Sequence, residues 1–421
     1  MLTKEENERL TKVGPGTPVG ELMRRYWQPI ASYSEVLKNG RKRVRILGED
    51  LVIFLMGNNK VALLKENCTH RGASLYYGFN EKDGIRCAYH GWKYDLTGKC
   101  MEQPFEPEGS NFKNKVKQPA YRAIQYRGLI WAYMGPEPAP VFPLWDVIAR
   151  DDGVRLIFEQ DSDYNWLQGM ENSMDVTHVY FLHGITLRDN MPEEWKKSYQ
   201  YVIDYYTRKL EKFDFKRFEF GFRRIRKWGG KEESQEKGYP LIFPNISIIP
   251  FMGLEMGWRV PIDDEHTKSI HIEFYPSLDG SKVNQLDSEI PTRVNRPYIK
   301  NSEGEYFMYN FPSTDAMAFE TPGAVFDRTQ EHLGSSDRGI TLYRQMLAEQ
   351  ISAVERGEDP IAVIRDTTKA NEIISLVDKE DYEKKRSWGV SSGLYDKWFE
   401  DLRNGNVPMI DAKTEHFGHQ V

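Results

Sequence analysis

Two short motifs of cysteine and histidine constrain this chain more than any other feature of its sequence. Cys68-Thr-His70 and Cys87-Ala-Tyr-His90 each offer one thiol and one imidazole. The chain has 3 cysteines and 9 histidines among 421 residues, so chance produces such a pattern on the order of once in ten thousand sequences. A single zinc site usually takes a cysteine pair from one loop and a histidine pair from another. One cysteine and one histidine per loop therefore favour two adjacent metals.

A Rieske [2Fe–2S] cluster is the metal centre that fits this division of ligands. Two thiolates hold one of its irons and two imidazoles hold the other, so each loop supplies one ligand to each iron. We predict that the four cluster ligands are Cys68, His70, Cys87 and His90. Gly72 and Gly91 allow the backbone to approach the cluster closely, and Trp92 can cover it.

A second constellation lies within residues 165–183. Asp175 and His178 are three residues apart, so on an α-helix they share a face and the carboxylate can accept the imidazole N–H. His183 follows His178 by five residues, about 140° around an ideal helix. Both imidazoles therefore reach one metal only if the helix ends or bulges between them. An amphipathic helix with two hydrogen-bonded core histidines is the alternative explanation of this segment.

Composition limits the class of protein and of partner. A net charge of −6 gives no reason to expect nucleic acid or an anionic membrane surface as partner. The longest apolar run, residues 51–56, is far too short to cross a bilayer, and the N-terminus is charged where a signal peptide needs an apolar stretch. Three cysteines do not make a disulfide framework, and we interpret Cys100 as a small buried hydrophobic residue. We therefore expect a soluble, cytoplasmic protein.

Local patterns predict two β-rich regions. Residues 44–47, 51–56 and 61–65 are separated by glycine-containing and asparagine-containing turns and predict an antiparallel meander. A proline-dense connector at residues 135–143 follows, and residues 200–312 predict a second, larger antiparallel sheet.

Two helices frame these sheets in the sequence. Thr17 can serve as N-cap and Pro18 as first helical residue of one. Apolar spacing predicts the other over residues 336–354, ended by Gly357.

Three arginines of the second β-rich region are candidates for binding substrate. Residues 213–226 alternate between apolar and charged side chains. Arg223, Arg224 or Arg226 can clamp a substrate carboxylate, since the guanidinium fork matches its geometry. The alternative is a solvated strand face.

The motifs together resemble those of the Rieske non-haem iron aromatic-ring-hydroxylating oxygenases. CTHRGASL (68–75) and CAYHGWKYDLTG (87–98) resemble the cluster motif of that family, and NxxDxxHxxxxH (172–183) resembles its mononuclear-iron motif. GPGTPVGELMRRYW (14–27), DRTQEHLGSSD (327–337) and the chain length are similar to the phthalate-dioxygenase-like branch. The resemblance covers most of the chain and indicates the catalytic (alpha) subunit.

This resemblance implies an α+β fold in three parts. Residues 1–40 are expected to form a helical arm on the catalytic domain, and residues 41–143 an antiparallel β Rieske domain. Residues 144–421 are expected to form a larger catalytic domain of helix-grip fold, with an antiparallel sheet and helices.

The resemblance also implies the site residues around a mononuclear Fe(II). His178 and His183 would bind the iron, and Asn172 and Asp175 would serve the reaction beside it. A 2-His-1-carboxylate face needs a third ligand, which spacing does not identify.

Asp315 is the third ligand that the family pattern indicates. In this branch an aspartate precedes a glutamate by five residues and a later Asp-Arg-Thr, which Asp315, Glu320 and Asp327 match. Asp327 and Asp337 are the competing candidates. The family often has glutamine before this aspartate, where the present chain has Thr314.

The implied activity is that of a terminal oxygenase. An NADH-dependent flavin and iron–sulfur reductase, or a ferredoxin, would supply electrons through one [2Fe–2S] cluster to one Fe(II) per chain. The substrate would be an aromatic acid or aryl ether, converted by dihydroxylation or by monooxygenation such as O-demethylation. The family resemblance further implies a head-to-tail homotrimer, single or stacked, in which Asp175 links His178 to His90 of the neighbouring subunit.

Two other classes of protein compete with this interpretation. One is a Rieske electron-transfer protein with an accessory domain, which needs no second iron. The other is a zinc-dependent hydrolase that uses His178, His183 and a carboxylate.

Overall fold

The computed structural model describes residues 1–228, 238–250, 253–294, 299–391 and 393–406. The first part of the chain contributes ten strands to two sheets. They are β1 (Gln28–Ser32), β2 (Arg41–Ile46), β3 (Glu49–Leu55), β4 (Val61–Lys65), β5 (Phe79–Glu81), β6 (Gly84–Arg86), β7 (Lys93–Tyr94), β8 (Cys100–Glu102), β9 (Ala120–Tyr126) and β10 (Leu129–Tyr133).

Six of these strands form an antiparallel sheet in the order β1-β10-β9-β4-β3-β2, which contains the predicted meander β2-β3-β4. The other four, β5-β6-β7-β8, form a smaller antiparallel sheet between β4 and β9 in the chain. β3 is apolar on both faces because both are covered. Leu51 and Ile53 pack into the main core, while Val52 and Phe54 pack against the small sheet.

The described residues of the rest of the chain add ten more strands. They are β11 (Leu144–Trp145), β12 (Gly153–Ser162), β13 (Leu210–Phe218), β14 (Gly221–Trp228), β15 (Tyr239–Ile242), β16 (Ile246–Pro250), β17 (Leu254–Pro261), β18 (Thr267–Pro276), β19 (Thr292–Val294) and β20 (Ile373–Ile374). Eight form one sheet in the order β13-β14-β15-β16-β17-β18-β12-β19, as residues 200–312 predicted in part.

Alternation along β18 gives this sheet two different faces. Ile270, Ile272 and Phe274 enter the apolar core, whereas the intervening residues, among them His271 and Glu273, line a cavity. The large sheet therefore has one face for packing and one for a site.

Helices cover the sheets and hold the site together. They are α1 (Lys4–Thr11), α2 (Pro18–Met23), α3 (Tyr33–Asn39), α4 (Asp146–Ala149), α5 (Trp166–Met174), α6 (Thr186–Asn190), α7 (Glu193–Tyr206), α8 (Phe311–Glu320), α9 (Arg338–Glu355), α10 (Lys379–Ser391) and α11 (Leu394–Arg403). The Thr17 side chain accepts the Gly20 N–H at the start of α2, as predicted. α9 is the predicted second helix, and Gly357 beyond it has a φ of +80°.

The predicted α+β class is confirmed, with an antiparallel β region followed by a larger region of sheet and helices. One apolar core joins them, and the Trp131 and Trp258 rings meet edge to face across it at 5.2 Å. Residues 1–40 supply α1 and α2, which pack on α9, and also β1 of the first sheet. Within the described residues, no helix is long and apolar enough to cross a membrane.

Candidate active site

The two cysteine/histidine motifs form a pair of similar loops at the small sheet. The Gly72 N–H donates to the Cys68 carbonyl at 2.8 Å, and the Gly91 N–H donates to the Cys87 carbonyl at 3.0 Å. Both glycines have positive φ, +75° and +73°, which only glycine adopts without strain. The same turn therefore presents one cysteine and one histidine from each loop.

The side chains of these loops converge with the thiols inside and the imidazoles outside. Cys68 and Cys87 are 2% and 3% exposed, whereas His70 and His90 are half-buried, with ring centroids 4.6 Å apart. Trp92 stacks on His70 at 4.1 Å and covers this side of the site, as predicted. Two buried thiols behind two accessible imidazoles suit a cluster with one inner and one outer iron.

The two thiols lie in a buried, apolar environment. Burial raises the pKa of the Cys68 thiol, and the nearby Cys87 adds to this effect. The Tyr94 hydroxyl lies 3.2 Å from the Cys68 sulfur.

Cys100 is fully buried in the same apolar cluster, and its sulfur lies 3.7 Å from the Glu102 carbonyl. The third cysteine is thus a buried small residue, as its isolated position in the sequence indicated.

A helix break creates the second constellation. α5 ends at Met174, and a π-helix occupies Val179–Ile185. Hydrogen bonds of the i→i+5 type bring residues five apart onto one face, so His178 and His183 meet. The predicted bulge between the two histidines is therefore present.

Asp315 on α8 completes a group of three potential ligands. Ligand atoms of His178, His183 and Asp315 all lie within 4.8 Å of one another. Asp315 Oδ1 is 3.2 Å from His183 Nε2, yet this buried oxygen has no hydrogen-bond partner among the described residues. Two imidazoles and such a carboxylate fit a divalent metal with open coordination positions.

The competing carboxylates have other roles. Asp327 is exposed, and its Oδ1 accepts the Thr329 N–H and hydroxyl. Asp337 Oδ2 accepts the Gly334 N–H at 2.7 Å. Both side chains organise local turns, so the geometry groups Asp315 with the histidines.

Asp175 contacts His178 through a turn rather than along a helix. The prediction that the two share a helical face is wrong, because α5 ends just before Asp175. Asp175 Oδ1 accepts the N–H and hydroxyl of Thr177, both at 2.7 Å, while Oδ2 lies 3.6 Å from His178 Nδ1. Burial opposes the charged form, but these contacts with His178 and Thr177 outweigh it and lower the pKa of Asp175 to about 2.

Thr314 takes the corresponding place beside His183. Its Oγ1 lies 3.4 Å from His183 Nδ1 and 3.1 Å from the Asn310 carbonyl. The hydroxyl proton goes to the carbonyl, so the oxygen can accept the Nδ1 proton of His183. That tautomer leaves Nε2 to face Asp315. Threonine thus supplies a contact to His183 at the position where the family often has glutamine.

The electrostatics of the group favour the metal-binding protonation states. Burial lowers the pKa of the His183 imidazole, although the Asp315 carboxylate beside it acts in the opposite direction. Burial opposes ionisation of Asp315, but the imidazoles of His183 and His178 outweigh it and hold the pKa of the carboxyl below its usual value.

A cavity of about 390 Å³ opens onto the three potential ligands. Its lining combines aromatic side chains with a larger number of polar ones. The aromatic residues include Phe158, Tyr164, Tyr205, Tyr206, Phe311 and Phe319. A volume in this range is typical of small-molecule sites. Asn172 on α5 also lines it.

The three candidate arginines have different surroundings. Arg224 lines the cavity but donates to the carbonyls of Ser173 at 2.6 Å and Ile248 at 3.1 Å, so its guanidinium is held by backbone. Arg223 donates to the Leu376 carbonyl at 3.1 Å and is absent from the cavity lining in the described part of the chain.

Arg226 is the arginine with capacity for a ligand. It lines the cavity, and its Nε is buried without a hydrogen-bond partner among the described residues. A buried guanidinium N–H without an acceptor is costly, and a bound anion would supply one.

We call the wall of the cavity formed by β17 and β18 the cavity floor. The sequence alone did not predict the polar residues that lie there. Glu255 and Arg259 on β17, and His271 and Glu273 on β18, all line the cavity. On each strand they are an even number of residues apart, so alternation placed them on one face. Charged residues at alternating positions within residues 200–312, for which a sheet was predicted, were the available signal.

Family profiles match two parts of the chain. The profile of the Rieske [2Fe-2S] domain matches residues 26–120, and that of the LigXa C-terminal domain like family matches residues 296–399. The two matches contain all four predicted cluster ligands and Asp315, respectively.

Full-length relatives extend this likeness. The chain is 39% identical over 378 residues to the 5,5'-dehydrodivanillate O-demethylase oxygenase subunit of Sphingobium sp. (strain NBRC 103272 / SYK-6), covering 87% of this chain and 84% of the relative. It is 31% identical to the phthalate 4,5-dioxygenase oxygenase subunit of Pseudomonas putida, covering 93% and 97%. The terminal oxygenase of carbazole 1,9a-dioxygenase from Novosphingobium sp. KA1 shares the fold, with a TM-score of 0.55 at 19% identity over 82% of this chain and 97% of that chain.

Proposed function

The chain belongs to the Rieske non-haem iron aromatic-ring-hydroxylating oxygenases, and we propose that it hydroxylates an aromatic acid or an aryl ether in the cavity beside His178, His183 and Asp315. It is the terminal oxygenase component of such a system. The observation that carries the substrate class is Arg226, which lines the cavity and whose buried Nε has no acceptor among the described residues. A substrate carboxylate would fill that position.

Two cofactors follow from the residues and the family. The Rieske domain holds a [2Fe–2S] cluster, and we assign its four ligands to Cys68, His70, Cys87 and His90. We also assign one mononuclear Fe(II) to His178, His183 and Asp315, which would supply the O₂ chemistry when bound.

The residues around this second site orient, shield and bind. Asp175 would hold the His178 ring and Thr314 the His183 ring, and a ligating imidazole needs such support. The aromatic walls exclude water from the reacting part of the substrate.

Each competing function leaves some structural features of the molecule unexplained. A pure electron carrier needs neither a second ligand group nor an aromatic cavity. A zinc-dependent hydrolase needs no pair of cysteine/histidine loops. The oxygenase uses all of them.

The chain would receive its electrons from an NADH-dependent reductase, directly or through a ferredoxin, in the cytoplasm. Among the four proposed cluster ligands, His70 and His90 are the closest to solvent, so the cluster would exchange electrons on this side of the domain.

We place the transfer of electrons between clusters and irons at a subunit interface. Tyr89 beside His90 is 56% exposed, and the Asp175 side chain is 21% exposed, so both are accessible to another copy. In a head-to-tail trimer, Asp175 would contact His178 of its own chain and His90 of the partner subunit. A heterologous contact of this kind closes into a ring.

Mixed trimers test this arrangement. Cys87→Ser chains lack the cluster and His178→Ala chains lack the iron, so each homotrimer should be inactive. Co-expressed mixed trimers should regain oxygenation where an intact cluster faces an intact iron. Purified mixed trimers without regained activity would contradict transfer between subunits.

The substrate class is tested by substrate-dependent O₂ uptake with a surrogate reductase. The panel contains phthalate isomers, phenoxybenzoates, methoxybenzoates and uncharged hydrocarbons of the same size. We expect uptake with the acids and its loss in Arg226→Gln, with Arg223→Gln as the matched control outside the cavity. Activity confined to uncharged hydrocarbons would contradict the proposal.

A further inference from the structure

The cavity floor carries two carboxylates on adjacent strands. Glu255 on β17 and Glu273 on β18 are directly paired in the antiparallel register, and both line the cavity. Like charges opposite each other on a sheet are destabilising, the more so in a partly dry cavity. This pair therefore needs hydrogen-bond donors.

One donor for Glu255 comes from His271, whose tautomer follows from its other neighbour. Arg259 Nη1 lies 2.7 Å from His271 Nε2, and arginine can only donate, so Nε2 accepts. The ring proton is then on Nδ1, which faces Glu255 Oε1. A Cβ at Gly257 would lie 2.8 Å from this imidazole. Glycine thus leaves the space in which the ring crosses between the strands.

The donor for Glu273 is the Tyr275 hydroxyl, which bonds to Oε2. Burial, and then the charge of Glu255, raise the pKa of Glu273 to about 7. Within the described residues, His271 and Tyr275 are the hydrogen-bond donors to the two side chains. Carboxylates accept several hydrogen bonds each, so acceptor capacity remains between them on the cavity side.

The charges of the whole cavity select the kind of donor that can enter. Arg224, Arg226 and Arg259 line the same space as Glu255, Glu273 and Asp315, so an ammonium group would add a positive charge to a lining whose arginines and carboxylates are already equal in number. A neutral hydroxyl supplies a proton to the carboxylates without adding charge. A ligand with such a hydroxyl group can also carry a carboxylate elsewhere, which would bind at Arg226.

The cavity volume sets the size of that molecule. An engineered cavity of about 150 Å³ holds one benzene ring, and the present cavity has about 390 Å³. Two aromatic rings fit in this volume.

We propose that Glu255 and Glu273 form a recognition site for a hydroxyl group, so that the substrate is a hydroxylated two-ring aromatic acid. This inference rests on the proposed function and adds a second polar contact to the one at Arg226. The carboxylate at Arg226 and the hydroxyl on the floor would fix the orientation of the rings relative to the ligand group.

Binding of matched ligands to the intact oxygenase tests the inference. The probes are 3-phenoxybenzoate and its ring-hydroxylated isomers at the outer ring, titrated anaerobically by calorimetry. A hydrogen bond to a charged group predicts that the best hydroxylated isomer binds about 10–100-fold tighter than the parent. In Glu273→Gln and in Glu255→Gln this preference should fall to within about 3-fold. Glu265→Gln, an exposed residue in the turn between β17 and β18, should keep the wild-type preference.

Binding preference tests the hydroxyl site, and O₂ uptake tests the proposed function, so the two can fail separately. Equal or weaker binding of every hydroxylated isomer, or no binding by any of them, would overturn the hydroxyl site. So would a preference that survives in both folded variants, whose fold is checked by circular dichroism. Substrate-dependent O₂ uptake is measured separately with the parent and with the unrelated acids. O₂ uptake without a binding preference for the hydroxylated isomers would contradict only this inference. The absence of O₂ uptake with every aromatic compound would contradict the proposed function.

Discussion

The two proposed metal sites of this chain differ in how the sequence builds them. All four proposed cluster ligands come from two loops within residues 68–90, each closed by the same glycine turn. The ligand group of the cavity joins His178 and His183 on a distorted helix to Asp315 on another helix. The first site is local and repeated, while the second depends on tertiary packing.

This difference matches the role proposed for each site. The imidazoles of the first site are half-buried and remain accessible, as a centre that exchanges electrons at a surface requires. The proposed ligands of the second site open onto a cavity partly lined by aromatic side chains, where a substrate can be held away from water. Substitutions in the loops of the first site should therefore affect that site alone. Metal binding at the second site should also respond to substitutions elsewhere in the helices that carry its ligands.

The largest expected effect is the loss of the cluster in Cys87→Ser. An alkoxide is a poor ligand for a soft iron–sulfur centre, so the Rieske visible and EPR signals should disappear. Cys100→Ser is the matched control, because Cys100 is buried nearby but has no place in the loops. Cluster signals that persist in Cys87→Ser would show that the ligand assignment is wrong.

Asp315→Ala should remove the mononuclear iron and all oxygenation while the cluster stays reducible. Two imidazoles without a carboxylate do not complete the three-ligand face. Asp327→Ala, an exposed aspartate that caps a turn, should retain both metals. Iron content and dithionite-reduced EPR spectra of the two variants distinguish the sites. If Asp327→Ala loses the iron instead, the third ligand has been misassigned.

Glu171→Gln should destabilise the region of the second site most strongly. Glu171 on α5 accepts hydrogen bonds from Arg328 at 2.8 and 2.7 Å and from Arg344 at 2.6 Å, and Arg328 is fully buried. Removal of this charge leaves the buried Arg328 guanidinium without a carboxylate partner, while Arg344 keeps Glu331, and the loss of such a buried pair costs about 3–5 kcal/mol in unfolding free energy. Glu349→Gln, in an exposed pair with Arg217, should cost less than about 1 kcal/mol. Equal losses in urea unfolding would contradict the role of Glu171.

A pH dependence of stability should arise from Glu273. Burial and the charge of Glu255 raise its pKa to about 7, from the 4.5 of an ordinary glutamate. Between these values the folded protein holds a proton that the unfolded chain has lost, so the unfolding free energy falls as pH rises, by at most about 3 kcal/mol. The difference in unfolding free energy between wild type and Glu273→Gln should change with pH over this range. The unfolding free energy of Glu265→Gln should depend on pH as that of wild type does. A difference that is constant with pH would refute this origin.

The smallest expected effect is that of Thr314→Val. Loss of the hydroxyl beside His183 removes the contact that sets the ring tautomer, and loss of such contacts lowers metal affinity about 10–100-fold. Thr321→Val at the end of the same helix, whose exposed hydroxyl bonds only to the Met317 carbonyl in the described structure, is the control. Iron retention against a chelator measures the difference. Equal retention by the two variants would remove Thr314 from the site.

The sequence predicted the local features of both sites. The cysteine/histidine spacing indicated the cluster loops, and the five-residue separation of His178 and His183 required the distortion that the π-helix provides. Residues 44–65 also contained their own strand pattern, because turn residues and apolar alternation are local signals.

The remaining features depend on contacts between distant segments. Asp315 came from a family resemblance, since no spacing rule connects α8 to residues 178–183. The Asp175–His178 contact was expected along a helix, but the helix ends before Asp175. Arg224 has the same residue type and strand as Arg226, and only tertiary structure shows that backbone carbonyls occupy its donors. Glu255 and Glu273 were missed because their pairing across neighbouring strands is a tertiary feature.

We propose that each chain holds an iron–sulfur cluster and a separate mononuclear iron. Iron, zinc and acid-labile sulfide measured on anaerobically purified protein test this metal content most directly. We predict about three irons and two sulfides per chain, with negligible zinc. Two irons per chain, or zinc in place of the third iron, would contradict it.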